Sequence, residues 1–275
     1  MEQVPCPQIG PGELLVRVAV CGICNTDVKK ITSDLLPPPR IYGHETAGTV
    51  VAVGAGVDQA RLGDRVVVFH HVPCGGCFYC EQRAYAQCLT YKKVGVTAGF
   101  EPSGGGFAQY VRLMEWIAAR GVQKIPDGVA FEEASFVEPV NTCLKALRTA
   151  RLGAGETVLI LGQGPIGVLF LLLAVHLGAE VFVSDVMDER LKRSSELGAH
   201  AIFNARRVDV AAAVRPLTGG RGTDLAIVAA AVPELIPAAL EAVRPGGGRV
   251  LLFAQTSPAE RVALAPAAIC VEEKQ

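Results

Sequence analysis

The chain has 275 residues, half of them hydrophobic, and a formal net charge of -1 at pH 7. This length accommodates one large domain or two smaller ones, each with its own core. The near-neutral charge gives no electrostatic argument for binding nucleic acid or an anionic membrane, and the start, MEQVPCPQIG, has neither the basic nor the apolar region of a signal peptide. We therefore expect a cytoplasmic protein with no nucleic-acid or membrane partner.

Short β-like runs interrupted by Gly and Pro characterise the chain up to about residue 140. Runs of this kind predict the strands of an irregular, β-rich domain. The predicted strands are LLVRVAV (14–20), AGTVVAVG (47–54) and DRVVVF (64–69). We assign residues 1–140 to this first domain.

Four of the nine cysteines lie in one short loop, CGGCFYCEQRAYAQC (74–88). Without an export signal, this density of cysteines indicates metal binding rather than disulfides. The spacing C-x2-C-x2-C-x7-C lets four thiolates converge on one ion, as in structural zinc sites. Reduced surface cysteines and a redox C-x2-C pair are the alternatives, although the pair leaves two cysteines unexplained. The predicted structural zinc ligands are Cys74, Cys77, Cys80 and Cys88.

After residue 140 the pattern alternates between strand and helix, which predicts a parallel sheet with helices on both faces for residues 141–275. The longest apolar run, IGVLFLLLAVHL (166–177), is shorter than the about 20 residues of a membrane-spanning helix, so we expect a buried helix. The predicted strands are 157–162, 180–185, 200–204, 224–230 and 249–253, and the predicted helices are 165–178, 187–198 and 233–243.

The turn after the first of these strands, GQGPIG (162–167), matches the dinucleotide fingerprint G-x-G-x-x-G. It follows an apolar strand and opens a helix, so backbone N–H groups and the helix dipole can bind a pyrophosphate. Asp185 ends the next strand, 18 residues after Gly167, where a carboxylate accepts hydrogen bonds from the ribose and repels a 2′-phosphate. The predicted cofactor-binding residues are Gly162, Gly164, Pro165, Ile166, Gly167, Asp185 and Arg190.

This arrangement favours NAD over NADP. Two alternatives stay open. Asp185 could serve merely as a cap for the helix that follows it, and the cation of Arg190 could reduce the preference for NAD over NADP.

A second candidate metal site lies upstream, in CGICNTD (21–27) and GHETAGTVVAVGAGV (43–57). Cys24 and His44 are ligand types that zinc prefers, while Glu45 and Glu138 add carboxylates. Three protein ligands with an open fourth position are the arrangement of a catalytic zinc. On spacing alone, an ordinary buried thiol and a structural histidine remain alternatives.

The run from 43 to 57 fits G-H-E-x2-G-x5-G-x2-V position by position. The chain resembles the zinc-containing medium-chain dehydrogenases/reductases over essentially its whole length. Besides this run, the resemblance rests on GIC-x-TD (22–27), the four-cysteine loop, GGFAQYV (105–111), Glu138–Pro139 and the glycine fingerprint. Within that superfamily it is most similar to the branch of sorbitol dehydrogenase and threonine 3-dehydrogenase. The resemblance implies a GroES-like catalytic domain followed by a Rossmann domain, with the active site between them.

The resemblance also implies roles for the metal-site residues. Cys24, His44 and Glu138 resemble the ligands of a catalytic zinc, and Glu45 resembles an exchanging ligand or a close neighbour of the metal. One catalytic and one structural zinc per chain are therefore expected.

Three further residues match positions around the reacting atoms. Thr26 resembles the hydroxyl that takes the substrate proton, Asp27 a carboxylate that orients the histidine, and Thr142 a residue beside the nicotinamide. The implied reaction is hydride transfer to NAD+ from a secondary alcohol of the polyol, sugar-alcohol or hydroxy-amino-acid type. The alternatives are a broad alcohol dehydrogenase acting on simpler alcohols and a truncated, non-catalytic NAD- or zinc-binding protein.

Two features depart from the family pattern. Lys29 stands where many relatives carry a histidine of the proton relay, so the proton would leave through cofactor ribose hydroxyls, water or Lys29. The alternative is that Lys29 is an ordinary solvated lysine on a loop. His70 and His71 could reach the cleft but are taken as ordinary residues. The chain also stops soon after the fifth Rossmann strand, so we expect a C-terminally incomplete domain with an open apolar edge at RVLLF (249–253). A homo-oligomer is expected for a full-length form.

Overall fold

The computed structural model describes residues 3–32, 41–69, 72–90, 104–254, 256 and 259–275, so that His70 and His71 lie outside the described residues. The chain divides into two compact units, Met1–Glu138 and Pro139–Gln275. Within the described ranges, none of the helices combines the length and the apolar character that crossing a membrane requires.

The first unit contains a five-stranded antiparallel sheet in the order β4-β1-β2-β3-β5. Every second residue of a strand points to the same face, and Leu14, Val16, Val66 and Val68 are accordingly buried in its core. The three strands predicted for this region are confirmed. The strands are β1 Leu14–Gly22, β2 Glu45–Val53, β3 Arg65–Val68, β4 Tyr110–Leu113 and β5 Val122–Lys124.

Short helices join these strands. The first helix begins three residues after the end of β1, so the sequence CGICNTD forms a strand-to-helix turn. The fifth helix begins in the first unit and continues into the second. The helices are α1 Asn25–Thr32, α2 Phe78–Glu81, α3 Glu115–Arg120, α4 Phe131–Ser135 and α5 Val137–Thr149, with a 3-10 turn at Tyr85–Gln87.

The second unit contains a five-stranded parallel sheet in the order β10-β9-β6-β7-β8. The strands are β6 Thr157–Leu161, β7 Glu180–Asp185, β8 Ala201–Asn204, β9 Leu225–Val228 and β10 Arg249–Leu252. The helices are α6 Pro165–His176, α7 Asp188–Glu196, α8 Val210–Val214, α9 Leu235–Ala242 and α10 Pro266–Cys270, with a 3-10 turn at Arg215–Thr218.

Helices cover both faces of this sheet. Val158 and Ile160 of β6 pack with residues of α5, α6 and α7, whereas Leu159 and Leu161 pack with residues of α8 and α9. Strands buried on both faces read as continuous apolar runs, which is why TVLIL shows no alternation. The predicted α/β class, with its parallel sheet and two helical layers, is confirmed.

The expectation of an open edge at β10 is wrong for the first half of that strand. The N–H of Val250 donates to the carbonyl of Gln275 at 2.7 Å, and the N–H of Gln275 donates to the carbonyl of Gly248 at 2.8 Å. Lys274 is buried beside this pairing, and its Nζ donates to the carbonyl of Leu240 at 2.9 Å. The last residues of the chain therefore occupy backbone groups that a lone edge strand would expose.

Candidate active site

Three predicted metal ligands come together in the first unit. The Sγ of Cys24, an imidazole nitrogen of His44 and a carboxylate oxygen of Glu45 all lie within 4.8 Å of one another. Cys24 lies in the turn between β1 and α1, while Glu45 opens β2 opposite Gly22 of β1. The antiparallel pairing of β1 with β2 therefore brings the two motifs together.

A buried carboxylate holds the histidine. Oδ1 of Asp27 lies 3.2 Å from Nδ1 of His44, and both side chains are buried. The backbone N–H of Gly43 also donates to Asp27 Oδ1, at 3.3 Å, and the N–H of Cys24 donates to Oδ2 at 3.2 Å. A hydrogen bond at Nδ1 fixes the ring and selects Nε2 as the nitrogen that a metal would use.

The charges at this cluster fit a divalent cation. Burial alone would raise the pKa of Cys24, but hydrogen bonds with His44 and Thr26 outweigh it and the pKa is lowered, toward the thiolate that zinc binds. Burial would lower the pKa of His44, yet Asp27, Cys24 and a nearby carboxylate raise it to about 10. The surroundings are thus strongly negative, and a proton on the imidazole or a bound cation would each offset that charge.

Glu138 lies close to this cluster without belonging to the tight group of ligand atoms. Its carboxylate acts on Glu45, whose pKa is raised first by burial and then by the charge of Glu138. It also contributes to the raised pKa of His44. Within the described residues, the group of atoms with metal-ligand spacing contains Glu45 and not Glu138. This geometry supports Glu45 as the carboxylate ligand and Glu138 as a neighbouring charge.

The other residues predicted around the reacting atoms lie on two helices. Thr26 is in the first turn of α1, and its backbone N–H donates to Cys24 Sγ at 3.4 Å. Lys29 follows one turn later in the same helix and is half-buried. Thr142 lies in α5 at an exposed position.

The four-cysteine loop brings its thiols close enough together to bind one ion. Its four Sγ atoms all lie within 4.8 Å of one another. Cys77 precedes helix α2 and Cys80 lies within it, with their Sγ atoms 3.6 Å apart, and Cys74 Sγ is 4.0 Å from Cys80 Sγ. Arg120 anchors the loop by donating to the carbonyl of Cys74 at 3.3 Å. Four convergent thiols without a disulfide fit a structural zinc.

The three glycines of the fingerprint GQGPIG differ in their backbone conformation and in the space around them. Gly162 has a φ of +100°, in the left-handed region that favours glycine. A Cβ on Gly164 would meet no atom within 4 Å, so the backbone there faces open space that a phosphate could approach. A Cβ on Gly167 would lie 1.9 Å from the carbonyl oxygen of Gly162, so only glycine permits α6 to start so close to the turn. The turn therefore fits a dinucleotide pyrophosphate.

Asp185 organises the segments beside this turn. Its Oδ2 accepts from the N–H of Gln163 at 2.7 Å, and its Oδ1 accepts from the N–H groups of Val186 and Met187 at 2.8 and 2.9 Å. Nη1 of Arg190 lies 3.5 Å from Oδ2. The alternative that Asp185 satisfies N–H groups before α7 thus agrees with its contacts, and the same carboxylate stands where a ribose is expected.

Sequence reasoning did not single out three residues that shape these sites. Gly22 lies against Glu45, since a Cβ at Gly22 would be 2.0 Å from Glu45 Oε2. Gln163 turns its side chain into the protein, where it accepts a hydrogen bond from Ser194. The position of Gln163 inside the fingerprint was a usable signal, whereas nothing in the sequence marks Ser194.

Comparisons with known proteins agree with both units. The family model for the alcohol dehydrogenase GroES-like domain matches residues 10–127, and the model for zinc-binding dehydrogenases matches residues 165–274. Sorbitol dehydrogenase from Bacillus subtilis (strain 168) is 34% identical over 253 residues, which cover 90% of this chain and 69% of that protein. L-threonine 3-dehydrogenase from Pyrococcus abyssi (strain GE5 / Orsay) is 34% identical over 256 residues, covering 91% and 71%.

The fold is also that of a solved structure of a zinc-binding dehydrogenase from Sinorhizobium meliloti 1021 bound to NADP. The two share 30% identity with a TM-score of 0.88, over 98% of this chain and 78% of that one. Matching domain models, relatives and architecture lead to one conclusion: the chain belongs to the zinc-containing alcohol dehydrogenase superfamily of medium-chain dehydrogenases/reductases, which are oxidoreductases.

Proposed function

We propose that this protein oxidises a secondary alcohol of the polyol, sugar-alcohol or hydroxy-amino-acid type and passes the hydride to NAD+. The observation that carries the proposal is the cluster of Cys24, His44 and Glu45, whose ligand atoms converge within 4.8 Å. The names of the related sorbitol and threonine dehydrogenases support this substrate class. We propose a cytoplasmic location, because cysteines spaced for metal binding rather than for disulfides suit a reducing compartment.

Two bound groups supply the reaction chemistry: zinc acts as a Lewis acid toward an alcohol oxygen, and NAD+ accepts a hydride. Cys24, His44 and Glu45 would hold the catalytic zinc. Asp27 keeps the imidazole of His44 in place through its contact at Nδ1. Three ligands would leave a position open for the substrate, as catalytic zinc sites require.

The residue that would remove the proton of the substrate alcohol lies in the first turn of helix α1. We assign the substrate proton to the hydroxyl of Thr26, which is held beside Cys24 by the bond from its own N–H to Sγ. Lys29 lies one turn further along the helix and is the candidate residue for passing the proton outward. Glu138 keeps the neighbourhood negative and so favours a cation in the cluster.

The dinucleotide would bind to the GQGPIG turn of the second unit. Backbone N–H groups at the start of α6 would contact the pyrophosphate, and Asp185 would accept hydrogen bonds from the ribose. Arg190 stands 3.5 Å from that carboxylate and reduces its repulsion of a 2′-phosphate. Because the Asp185 carboxylate still disfavours a 2′-phosphate, we propose NAD+ as the preferred cofactor, and because Arg190 lessens that repulsion, we propose NADP+ as a poorer but usable one.

The test is an NAD+ reduction screen on zinc-replete protein, over polyols, hydroxy-amino acids and simple alcohols. We expect turnover with a secondary alcohol of the first two groups. His44→Ala should abolish turnover while leaving NADH binding unchanged, because the histidine belongs to the metal cluster and not to the dinucleotide turn. The exposed His200→Ala is the matched control and should retain activity.

Three outcomes would contradict the proposal. Turnover by His44→Ala at the wild-type rate would exclude the metal assignment. Zinc at about one ion per chain, lost on replacing Cys77, would mean that only the four-cysteine loop binds metal and would favour a non-catalytic NAD- or zinc-binding protein. Faster turnover of simple alcohols than of any polyol would favour a broad alcohol dehydrogenase.

A further inference from the structure

The side chain of Gln163 is buried although it belongs to the turn that faces the dinucleotide. It is 2% exposed. Its Nε2 donates to the carbonyl of Gly162 at 3.0 Å, and its Oε1 accepts from Oγ of Ser194 at 2.9 Å. Gln163 therefore does not reach toward a ligand, and instead ties the turn to helix α7.

Ser194 is the partner inside the protein. It is fully buried in α7, and its Oγ lies 2.9 Å from both Gln163 Oε1 and the carbonyl of Arg190. A serine hydroxyl has one proton, so the two acceptors share one donor. A buried hydroxyl with two acceptors in reach, one of them on a different βα unit, orients both segments.

The same network holds the peptide between Gly162 and Gln163 at both of its polar atoms. The carbonyl of Gly162 accepts from the Gln163 side chain, and the N–H of that peptide donates to Asp185 Oδ2 at 2.7 Å. The carbonyl is also packed against Gly167, where a Cβ would lie 1.9 Å from the oxygen. Rotation of this peptide would break two hydrogen bonds, and this peptide sets the direction of the N–H groups that follow.

We propose that Gln163 and Ser194 are positioning residues for dinucleotide binding: the bridge between them fixes the first peptide of the glycine-rich turn so that the N–H groups at the start of α6 face the pyrophosphate. The inference rests on the proposed binding of a nicotinamide dinucleotide. Neither side chain contacts the cofactor in this scheme; both act through the backbone of Gly162.

The experiment measures dissociation constants of NADH, ADP-ribose and AMP for the zinc-loaded wild-type chain, Ser194→Ala, Gln163→Met and the double variant. Methionine keeps the length of glutamine and removes both of its hydrogen bonds. We expect each single variant to weaken NADH and ADP-ribose about 3- to 10-fold, as for loss of one buried hydrogen bond, and AMP less, because AMP lacks the pyrophosphate. The double variant should lose no more than the worse single variant, since the two residues form one bridge.

The control is Ser195→Ala, which removes the neighbouring exposed hydroxyl of the same helix and should leave all three constants unchanged. If the wild-type chain binds NADH and both single variants bind it equally tightly, the proposed role of the Gln163–Ser194 bridge is wrong, while the proposed function still holds. Equal losses for NADH, ADP-ribose and AMP would also overturn it, because a general loosening of the unit affects all ligands alike. A wild-type chain that binds no NADH would instead overturn the proposed function itself.

Discussion

Nδ1 of His44 lies 3.2 Å from Oδ1 of Asp27, and both side chains are buried. The pair joins helix α1 to the start of β2, which are the two segments that carry the metal-ligand cluster. An imidazole held at one nitrogen presents the other in a fixed direction, which lowers the entropy lost when a metal binds. We therefore expect Asp27 to affect metal affinity through His44, without being a ligand itself.

Asp27→Asn should weaken zinc binding at the cluster by about tenfold, because the amide keeps the shape but loses the charge that favours the bound imidazole. Zinc retention in a chelator titration measures this change. The four-cysteine site serves as an internal reference that should keep its zinc, and the exposed Asp58→Asn is the matched control. Equal zinc retention in Asp27→Asn and wild type would show that Asp27 does not contribute to zinc binding at the cluster.

Gly22→Ala should also impair the metal cluster. The added Cβ would stand 2.0 Å from Glu45 Oε2 and would push that carboxylate away from Cys24 and His44. We expect the zinc content to fall from about two toward about one ion per chain. Gly10→Ala tests the effect of a glycine substitution alone, since Gly10 is not at a positive φ and the nearest atom to a Cβ there, Glu13 Oε2, is 3.7 Å away.

Elemental analysis of metal-replete protein reads out this change. Glu45→Gln should reproduce the loss if displacement of the carboxylate is its cause. Two zinc ions in Gly22→Ala, bound as tightly as in wild type, would show that Glu45 is not needed as a ligand.

Cys80→Ser should remove the structural zinc. Loss of one thiolate opens the tetrahedral shell, and the binding energy of such a zinc is in large part folding energy of its loop. We expect about one zinc per chain and a lower melting temperature of the first unit. Cys270→Ser, at an exposed cysteine outside both clusters, should behave as wild type. An unchanged zinc content in Cys80→Ser would exclude the assigned ligand set.

Glu13→Gln should destabilise the first unit by about 2 kcal/mol, because Arg112 would lose a charged partner in a mostly buried pair. Arg112 donates to Glu13 through Nε at 2.9 Å and through Nη2 at 2.7 Å, and these bonds lower the pKa of Glu13. Urea unfolding followed by the fluorescence of Trp116, the one tryptophan of the chain, reports on this unit.

Glu132→Gln, at an exposed glutamate of the same unit, is the control for that measurement. If the free energy of unfolding changes by less than about 0.5 kcal/mol in Glu13→Gln, the Glu13–Arg112 pair stabilises the unit no more than an ordinary surface ion pair does.

Asp224 should make the second unit sensitive to acid. Burial would raise the pKa of Asp224, but hydrogen bonds from the N–H and hydroxyl of Thr157 and the Arg244 guanidinium outweigh it, so that the pKa is lowered. A group with a lowered pKa stabilises the folded state above its unfolded pKa, near 3.8, and this contribution is lost as the pH falls through the folded value.

Asp224→Asn should therefore be less stable at neutral pH and should lose less further stability below pH about 4. Urea unfolding followed by circular dichroism across that range measures the difference. Glu234→Gln, at an exposed position in the same unit, should show the wild-type slope of the free energy of unfolding against pH. A slope as steep in Asp224→Asn as in wild type would assign the acid sensitivity to other carboxylates.

Local patterns predicted most of the regular structure. β7 was predicted at 180–185 and lies at Glu180–Asp185, and α6 was predicted at 165–178 and ends two residues earlier, at His176. These elements follow from short-range periodicity and from Pro165 and Gly178 at the ends of the helix. The edge of β10 was not predictable in this way, since residues 272–275 pair there through backbone groups that carry no sequence signal.

The metal cluster shows the same division. Residue types and the match to a known motif named four candidate ligands, with Glu138 as a zinc ligand and Glu45 as an exchanging ligand or close neighbour. The convergence of Glu45 with Cys24 and His44 was not predictable from local pattern, because it depends on the pairing of Gly22 with Glu45 between two strands. The close approach of Gly22 to the carboxylate follows from that same pairing.

By itself, the sequence determined what depends on neighbouring residues: two regions of different periodicity, four cysteines spaced for one ion, and a glycine-rich turn between a strand and a helix. The tertiary structure alone brings a carboxylate oxygen of Glu45 within 4.8 Å of the ligand atoms of Cys24 and His44, turns the side chain of Gln163 toward Ser194, and pairs the first half of β10 with Gln275. These features depend on contacts between residues far apart in the chain, whose distances are set only when strands pair and helices pack.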